Sequence, residues 1–76
     1  MAYGYSIRLI ELNKKADPKL IGVRLGKLCI SNKVPVSQVA ERLNVSRQTV
    51  YNWFCGVSSP HGDSLAKVRD FIATLA

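Results

Sequence analysis

The stretch "QVAERLNVSRQTVYNWFCG", residues 38 to 56, constrains the fold more than any other part of the chain. It reads as two short helical periods joined at "NVS". Val39, Ala40 and Leu43 share one face of the first period, while Val50, Trp53 and Phe54 mark the apolar side of the second. Neither segment is long enough to be a stable helix alone, so each must be held by packing against the rest of the chain. The second also carries Arg47, Gln48, Thr49, Tyr51 and Asn52. A helix that served only the core would have no need of so many hydrogen-bonding side chains.

Breaks rich in Gly, Pro, Asn, Asp or Ser ("KADPK", "SNKVPV", "LNVS" and "CGVSSPHGD") divide the chain into five segments with helical spacing. The first covers 7–15, with Ser6 as a cap. Its Ile7 and Ile10, with Leu9 and Glu11, sit at mixed spacing, and a strand reading of "YSIRLIEL" stays open there. The second starts with Asp17 as N-cap and Pro18 at the first helical position. Leu20, Ile21, Leu25, Leu28 and Cys29 follow as a stripe, with Arg24 and Lys27 off it. The third runs over about 35–43, with Val36, Val39, Ala40 and Leu43 on one face. The fourth begins after Ser46 and stops before Gly56. The fifth follows Asp63 or Ser64 and turns Leu65, Val68, Phe71, Ile72 and Leu75 inward. The expected class is all-α: a compact bundle of four to five helices in one domain, 1–76. Residues 1–16 form an N-terminal extension and 35–56 the central helix pair.

With 76 residues the core is small, and a deep two-layered cleft is not expected. Eleven Lys and Arg against five Asp and Glu give a net charge of +6, which favours a polyanionic partner. Nucleic acid comes first, an acidic membrane or acidic protein second. The cations are spread from Arg8 to Arg69 without a run of five, so a basic tail is not the mode of action. Cys29 and Cys55 form no CxxC, and His61 is the only histidine, so no metal and no cofactor are expected. Cys29 reads as a small buried hydrophobe, Cys55 as partly exposed, and His61 as a plain loop residue. "MAYGYSIRLIELNKK" lacks the long apolar run of a secretion signal, and no segment has the 18 apolar residues of a membrane span. The expectation is a cytoplasmic protein with both thiols reduced. There is no close carboxylate pair, no Ser-His-Asp set and no phosphate-cradling Gly loop, so it is not expected to be an enzyme.

A helix-turn-helix answers the opening puzzle. Its first helix braces the second, which enters the major groove of DNA. Close packing of the two needs a small residue along the first helix, here Ala40. It also needs a residue tolerant of left-handed geometry at the turn, here Asn44. Apolar groups must face inward on both, and Val39, Leu43, Val45, Val50 and Trp53 do. The pattern "VAERLNVSRQTVYNWFCGVSSP" resembles the "LA..LGVS..T...W..G...P" of the phage repressor and Cro family in order and spacing. One helical segment before it (18–32) and one after (63–75) fit the same arrangement. The resemblance implies a lambda repressor-like bundle and a small phage-encoded DNA-binding protein of the bacterial cytoplasm. The chain departs from the family at Val36, where a polar residue, often Gln, is usual, and at Phe54, where Glu often follows the Trp.

If Val50 and Trp53 point inward, Arg47, Gln48, Tyr51, Asn52 and Cys55 point outward or sideways. Arg47 can pair with guanine O6 and N7, and Gln48 and Asn52 with adenine N6 and N7. Ser46, Thr49 and Tyr51 suit phosphate contacts, which fix register. Lys33 and Arg42, with Lys27 and Arg24, can add charge contacts to the DNA backbone. Three functions compete. The first is sequence-specific binding of double-stranded DNA as a repressor-like transcription regulator. The second is a module that binds host polymerase or another acidic protein. The third is the DNA-binding piece of a recombination or packaging machine. A weak homodimer is expected, paired through Phe71, Ile72 and Leu75 or through Tyr3, Tyr5, Ile7, Leu9 and Ile10.

Overall fold

The computed structural model describes residues 6–75. Five helices follow one another: α1 (Ile7–Lys15), α2 (Ile21–Ser31), α3 (Val36–Leu43), α4 (Arg47–Phe54) and α5 (Asp63–Leu75). No strand occurs among the described residues, and the all-α expectation holds. In α1 the strand reading of "YSIRLIEL" gives way to a helix. Ser6 Oγ accepts from the Leu9 N–H at 3.1 Å, supplying an N-cap. Leu9 and Asn13, four residues apart, form the buried face, while Ile7 is 72% exposed.

The second helix starts later than its Asp-Pro signal predicts. Asp17 caps a single turn, accepting from Lys19 N–H at its Oδ1 (2.9 Å) and from Leu20 N–H at its carbonyl (3.1 Å). Leu20 is extended, with φ −72° and ψ 132°, and α2 begins at Ile21. The extended backbone brings Leu20 against the end of α4, where a Cβ on Gly56 would meet its Cδ1 at 3.4 Å. A tertiary contact therefore overrides a local start signal. The stripe on α2 also needs correcting. Leu25 and Cys29 are buried as expected, but their buried companions are Gly22, Val23 and Gly26, and Leu20, Ile21 and Leu28 are only half-buried.

Three helices end in the same way, and one sequence pattern writes all three. After α2, Val34 N–H donates to Cys29 O (2.9 Å) and Lys33 N–H to Ile30 O (3.3 Å). After α3, Val45 N–H donates to Ala40 O (3.0 Å) and Asn44 N–H to Glu41 O (3.2 Å). After α4, Val57 N–H donates to Asn52 O (2.9 Å) and Gly56 N–H to Trp53 O (3.2 Å). Each is a Schellman closure with a left-handed residue followed by valine. The left-handed residues are Lys33 (φ 61°), Asn44 (φ 56°) and Gly56 (φ 77°). Val34 and Val45 then fold back onto the core, whereas Val57 stays 75% exposed.

The core joins Leu9 of α1, Leu25 and Cys29 of α2, Val36, Val39, Ala40 and Leu43 of α3, Val50, Trp53 and Phe54 of α4, and Val68 and Phe71 of α5. Recognition of Trp53 as a core side chain holds: it is 4% exposed. Cys29 is fully buried, and burial pushes its thiol up to about 12. Cys55 is partly exposed, its thiol also pushed up by burial, and neither cysteine is in a disulfide. His61 is exposed in the loop before α5.

Candidate nucleic-acid interface

The α3–α4 pair is built on the left-handed turn at Asn44. That turn brings Val45 onto the core and leaves Ser46 extended (φ −72°, ψ 157°) as the cap of α4. Ser46 Oγ accepts from Thr49 N–H at 3.1 Å and lies 2.9 Å from Thr49 Oγ1. One hydroxyl proton joins the two oxygens, and the other remains free to donate. The N–H groups of Arg47 and Gln48, in the first turn, have no carbonyl within the helix and face outward with the positive end of its dipole. Two hydroxyls and two amides at this end match the demands of a phosphate.

Along α4, Val50, Trp53 and Phe54 are buried while Arg47 and Gln48 are exposed and Thr49, Tyr51, Asn52 and Cys55 half-exposed. The side expected from helical geometry to point outward is thus the open one. Gln48 Nε2 donates to Asn52 Oδ1 at 3.1 Å, one turn on. This bond leaves Gln48 with its Oε1 and a second N–H, the pair that adenine N6 and N7 require. It also restricts both side chains before any contact with DNA, so less entropy is lost on binding.

The other expected contacts are placed less uniformly. Tyr51 leans toward α1, beside Ser6, Arg8, Leu9 and Leu12 in a cleft of about 290 Å³ that it shares with Cys55. The Arg42 guanidinium lies over the Phe71 ring, 5.3 Å from its centre, and so rests on α5. Lys27 Nζ donates to the Asn13 carbonyl at 3.4 Å, at the end of α1. Arg24 lines a groove with Lys19, Ile21, Arg69 and Ile72, between α2 and α5, to which α4 contributes nothing. Lys33 is exposed at the left-handed position between α2 and α3. Of the cations named from the sequence, Arg47 alone sits on α4 itself. Of the pairing surfaces, Phe71 and Leu9 are buried in the monomer, Ile10, Ile72 and Leu75 are partly so, and Tyr3 and Tyr5 lie outside the described residues.

Sequence reasoning missed how α4 is held from behind. Asn13 is the one buried polar side chain among the described residues, 2% exposed. Its Nδ2 donates to Phe54 O at 2.8 Å and to Val23 O at 3.2 Å. Gly26 makes the room, since a Cβ there would come within 2.5 Å of that nitrogen. Gly22 lies against Trp53, where a Cβ would fall 2.7 Å from its carbonyl oxygen. The available signal was Gly22 and Gly26 at a spacing of four, which clears one face of a helix for close approach.

A short brace, a left-handed turn and a second helix with a polar open face define the helix-turn-helix class of DNA-binding domain. The chain belongs to the homeodomain-like domain family, whose sequence pattern matches residues 25–65, more than half of its length. No curated protein and no solved structure gives a significant match. No helix among the described residues is long and apolar enough to cross a membrane, and no cluster of three His, Cys, Asp or Glu side chains forms there.

Proposed function

We propose that the protein is a sequence-specific double-stranded DNA-binding regulator, repressor-like and of the phage repressor and Cro type, acting in the bacterial cytoplasm. The observation that supports this reading is the open side of α4, where Gln48 and Asn52 are bonded to each other and Arg47 is exposed at the first position of the helix. Arg47 reads guanine, Gln48 and Asn52 read adenine, and Ser46, Thr49 and Tyr51 with Lys33 and Arg42 hold phosphates. The net charge of +6 supplies the sequence-independent part of the affinity. One such helix reads only a few base pairs, so two copies on a palindrome are the expected functional unit. The exposed Ile7 and Leu12 of α1 offer apolar surface for that pairing.

Selection of bound sites from a random duplex pool tests the proposal. It predicts an enriched motif of paired half-sites about one helical turn apart. A pool that returns no motif would contradict sequence-specific reading. One observation favours a second reading, the binding of an acidic protein: Lys19, Arg24 and Arg69 surround Ile21 and Ile72 in the groove between α2 and α5. Reversing Arg24 and Arg69 to Glu separates the two, because it abolishes an acidic-protein complex while leaving the selected motif unchanged.

A further inference from the structure

We infer that Asn13 is a positioning residue for DNA reading: it fixes the recognition helix from behind, through a helix that lies outside the matched family region. The inference rests on the DNA-reading role of α4 and deepens it. The match begins at residue 25, so α1 and the first turn of α2 are not part of the shared pattern. Yet α1 reaches the end of α4 directly.

The geometry is specific. Phe54 is the last residue of α4. Asn13 Nδ2 donates to its carbonyl at 2.8 Å from 41 residues away. The same nitrogen donates to Val23 O in the first turn of α2 at 3.2 Å. Both partners are carbonyls, so only the NH2 end of the amide can face them, and both of its protons are used. One planar group therefore links α1, α2 and α4. The amide is buried, at 2% exposure, so on losing these bonds its NH2 would have no water to turn to. Two buried, directional hydrogen bonds tie the end of the helix to one position. The opposite face of that same helix carries Asn52 and Gln48, whose contacts with base edges fail with displacements of about 1 Å.

A purely structural asparagine would stabilise the fold and nothing more, so the test must separate reading from stability. Asn13→Leu keeps the approximate volume and removes both donors. Gly26→Ala leaves Asn13 in place and drives a Cβ to within 2.5 Å of its nitrogen and 2.9 Å of Phe54 Cγ. Leu9→Ala serves as the control, weakening the packing of the same helix without touching the clamp. Circular dichroism sets a temperature at which each protein is folded. There, two quantities are measured: the ratio of affinities for the selected site and a random duplex, and the salt slope on the random duplex.

Both clamp variants should lower the ratio roughly tenfold, the loss of about one base contact. Leu9→Ala should lower the thermal midpoint and leave the ratio at its wild-type value. Wild-type ratios in both clamp variants would overturn the positioning role. A wild-type protein with no preference would defeat the sequence-reading proposal instead. The salt slope then decides for the clamp: a fall of about one in both variants supports it, because a tilted helix loses a phosphate, and an unchanged slope overturns it. A wild-type protein that binds no duplex would overturn both.

Discussion

The two sides on which α4 is held differ in kind. Toward α3 the contact is made by side chains, with Val39, Ala40 and Leu43 facing Val50 and Trp53 in one core and the left-handed Asn44 setting the turn. Toward α1 and α2 the closest approach is made at two glycines and through one amide. Gly22 and Gly26 let α2 come within touching distance of Trp53 and Phe54, and Asn13 bonds to the two carbonyls at that seam. Side-chain packing is tolerant, because neighbouring residues can shift to fill a gap. The glycine seam is less so: a carbon added at Gly22 meets the Trp53 backbone, and one added at Gly26 meets the Asn13 amide and the Phe54 ring. The brace thus holds α4 through side-chain packing, and the seam ties the end of the helix in place.

The largest effect expected is from Trp53→Ala, since the Trp53 side chain belongs to the core. Removing so large a buried side chain should cost about 3–5 kcal/mol, enough to unfold much of a domain this size. Thermal melts followed by circular dichroism would check it, and an unchanged midpoint would refute the core role. Gly22→Ala sharpens the comparison. On an exposed helix alanine would stabilise by about 1 kcal/mol. Here the new Cβ would lie 2.7 Å from Trp53 O, and a net loss of about 1–3 kcal/mol is expected. A midpoint that rises would mean that α2 and α4 do not need to be so close.

Cys29 tests the dryness of the core through pH. Its thiol, ordinarily near 9.0, is pushed up to about 12 by burial. The unfolded thiol gives up its proton above pH 9 while the folded one keeps it. Its contribution to stability is therefore fully present below pH 9 and is lost as the pH rises toward 12. In Cys29→Ala the decline of stability over that window should be shallower than in the wild type, and equal slopes would contradict burial of the thiol. The smallest effect comes at Lys33, which holds a left-handed φ of 61° where glycine is at ease. Lys33→Gly should raise stability by up to about 1 kcal/mol and yet weaken binding to all duplexes, with a lower salt slope. Opposite signs in melting and in binding would place the Lys33 charge at the DNA; equal duplex binding would remove it from the backbone contacts.

The contrast between the two sides also explains what the sequence disclosed. Apolar residues at helical spacing gave α3, α4 and α5 nearly to the residue, and Ser46, Asn44 and Gly56 marked their ends, because caps and turns are local chemistry. The open face of α4 followed from the buried one. The start of α2 was misjudged because Leu20 is drawn out of the helix by the end of α4, 36 residues on. Asn13 was invisible for a similar reason: an asparagine in a polar run, "ELNKK", carries no sign that glycine on another helix has made room for it. Arg42 and Lys27 read as charges for the DNA backbone, and periodicity does not show that Arg42 lies over Phe71 or that Lys27 reaches the Asn13 carbonyl. Periodicity reports where side chains pack on side chains. It is silent where backbone packs on backbone.

The claim that the open face of α4 reads DNA sequence is tested most directly by Gln48→Ala and Asn52→Ala, measured against the selected site and a random duplex. Both positions are away from the core, so stability should stay within about 0.5 kcal/mol of the wild type. Each variant should lose about 1–3 kcal/mol on the selected site and little on random DNA. Because the two amides are bonded to each other, the double variant should lose less than the sum of the singles. Equal losses on both duplexes, or none on either, would contradict the account.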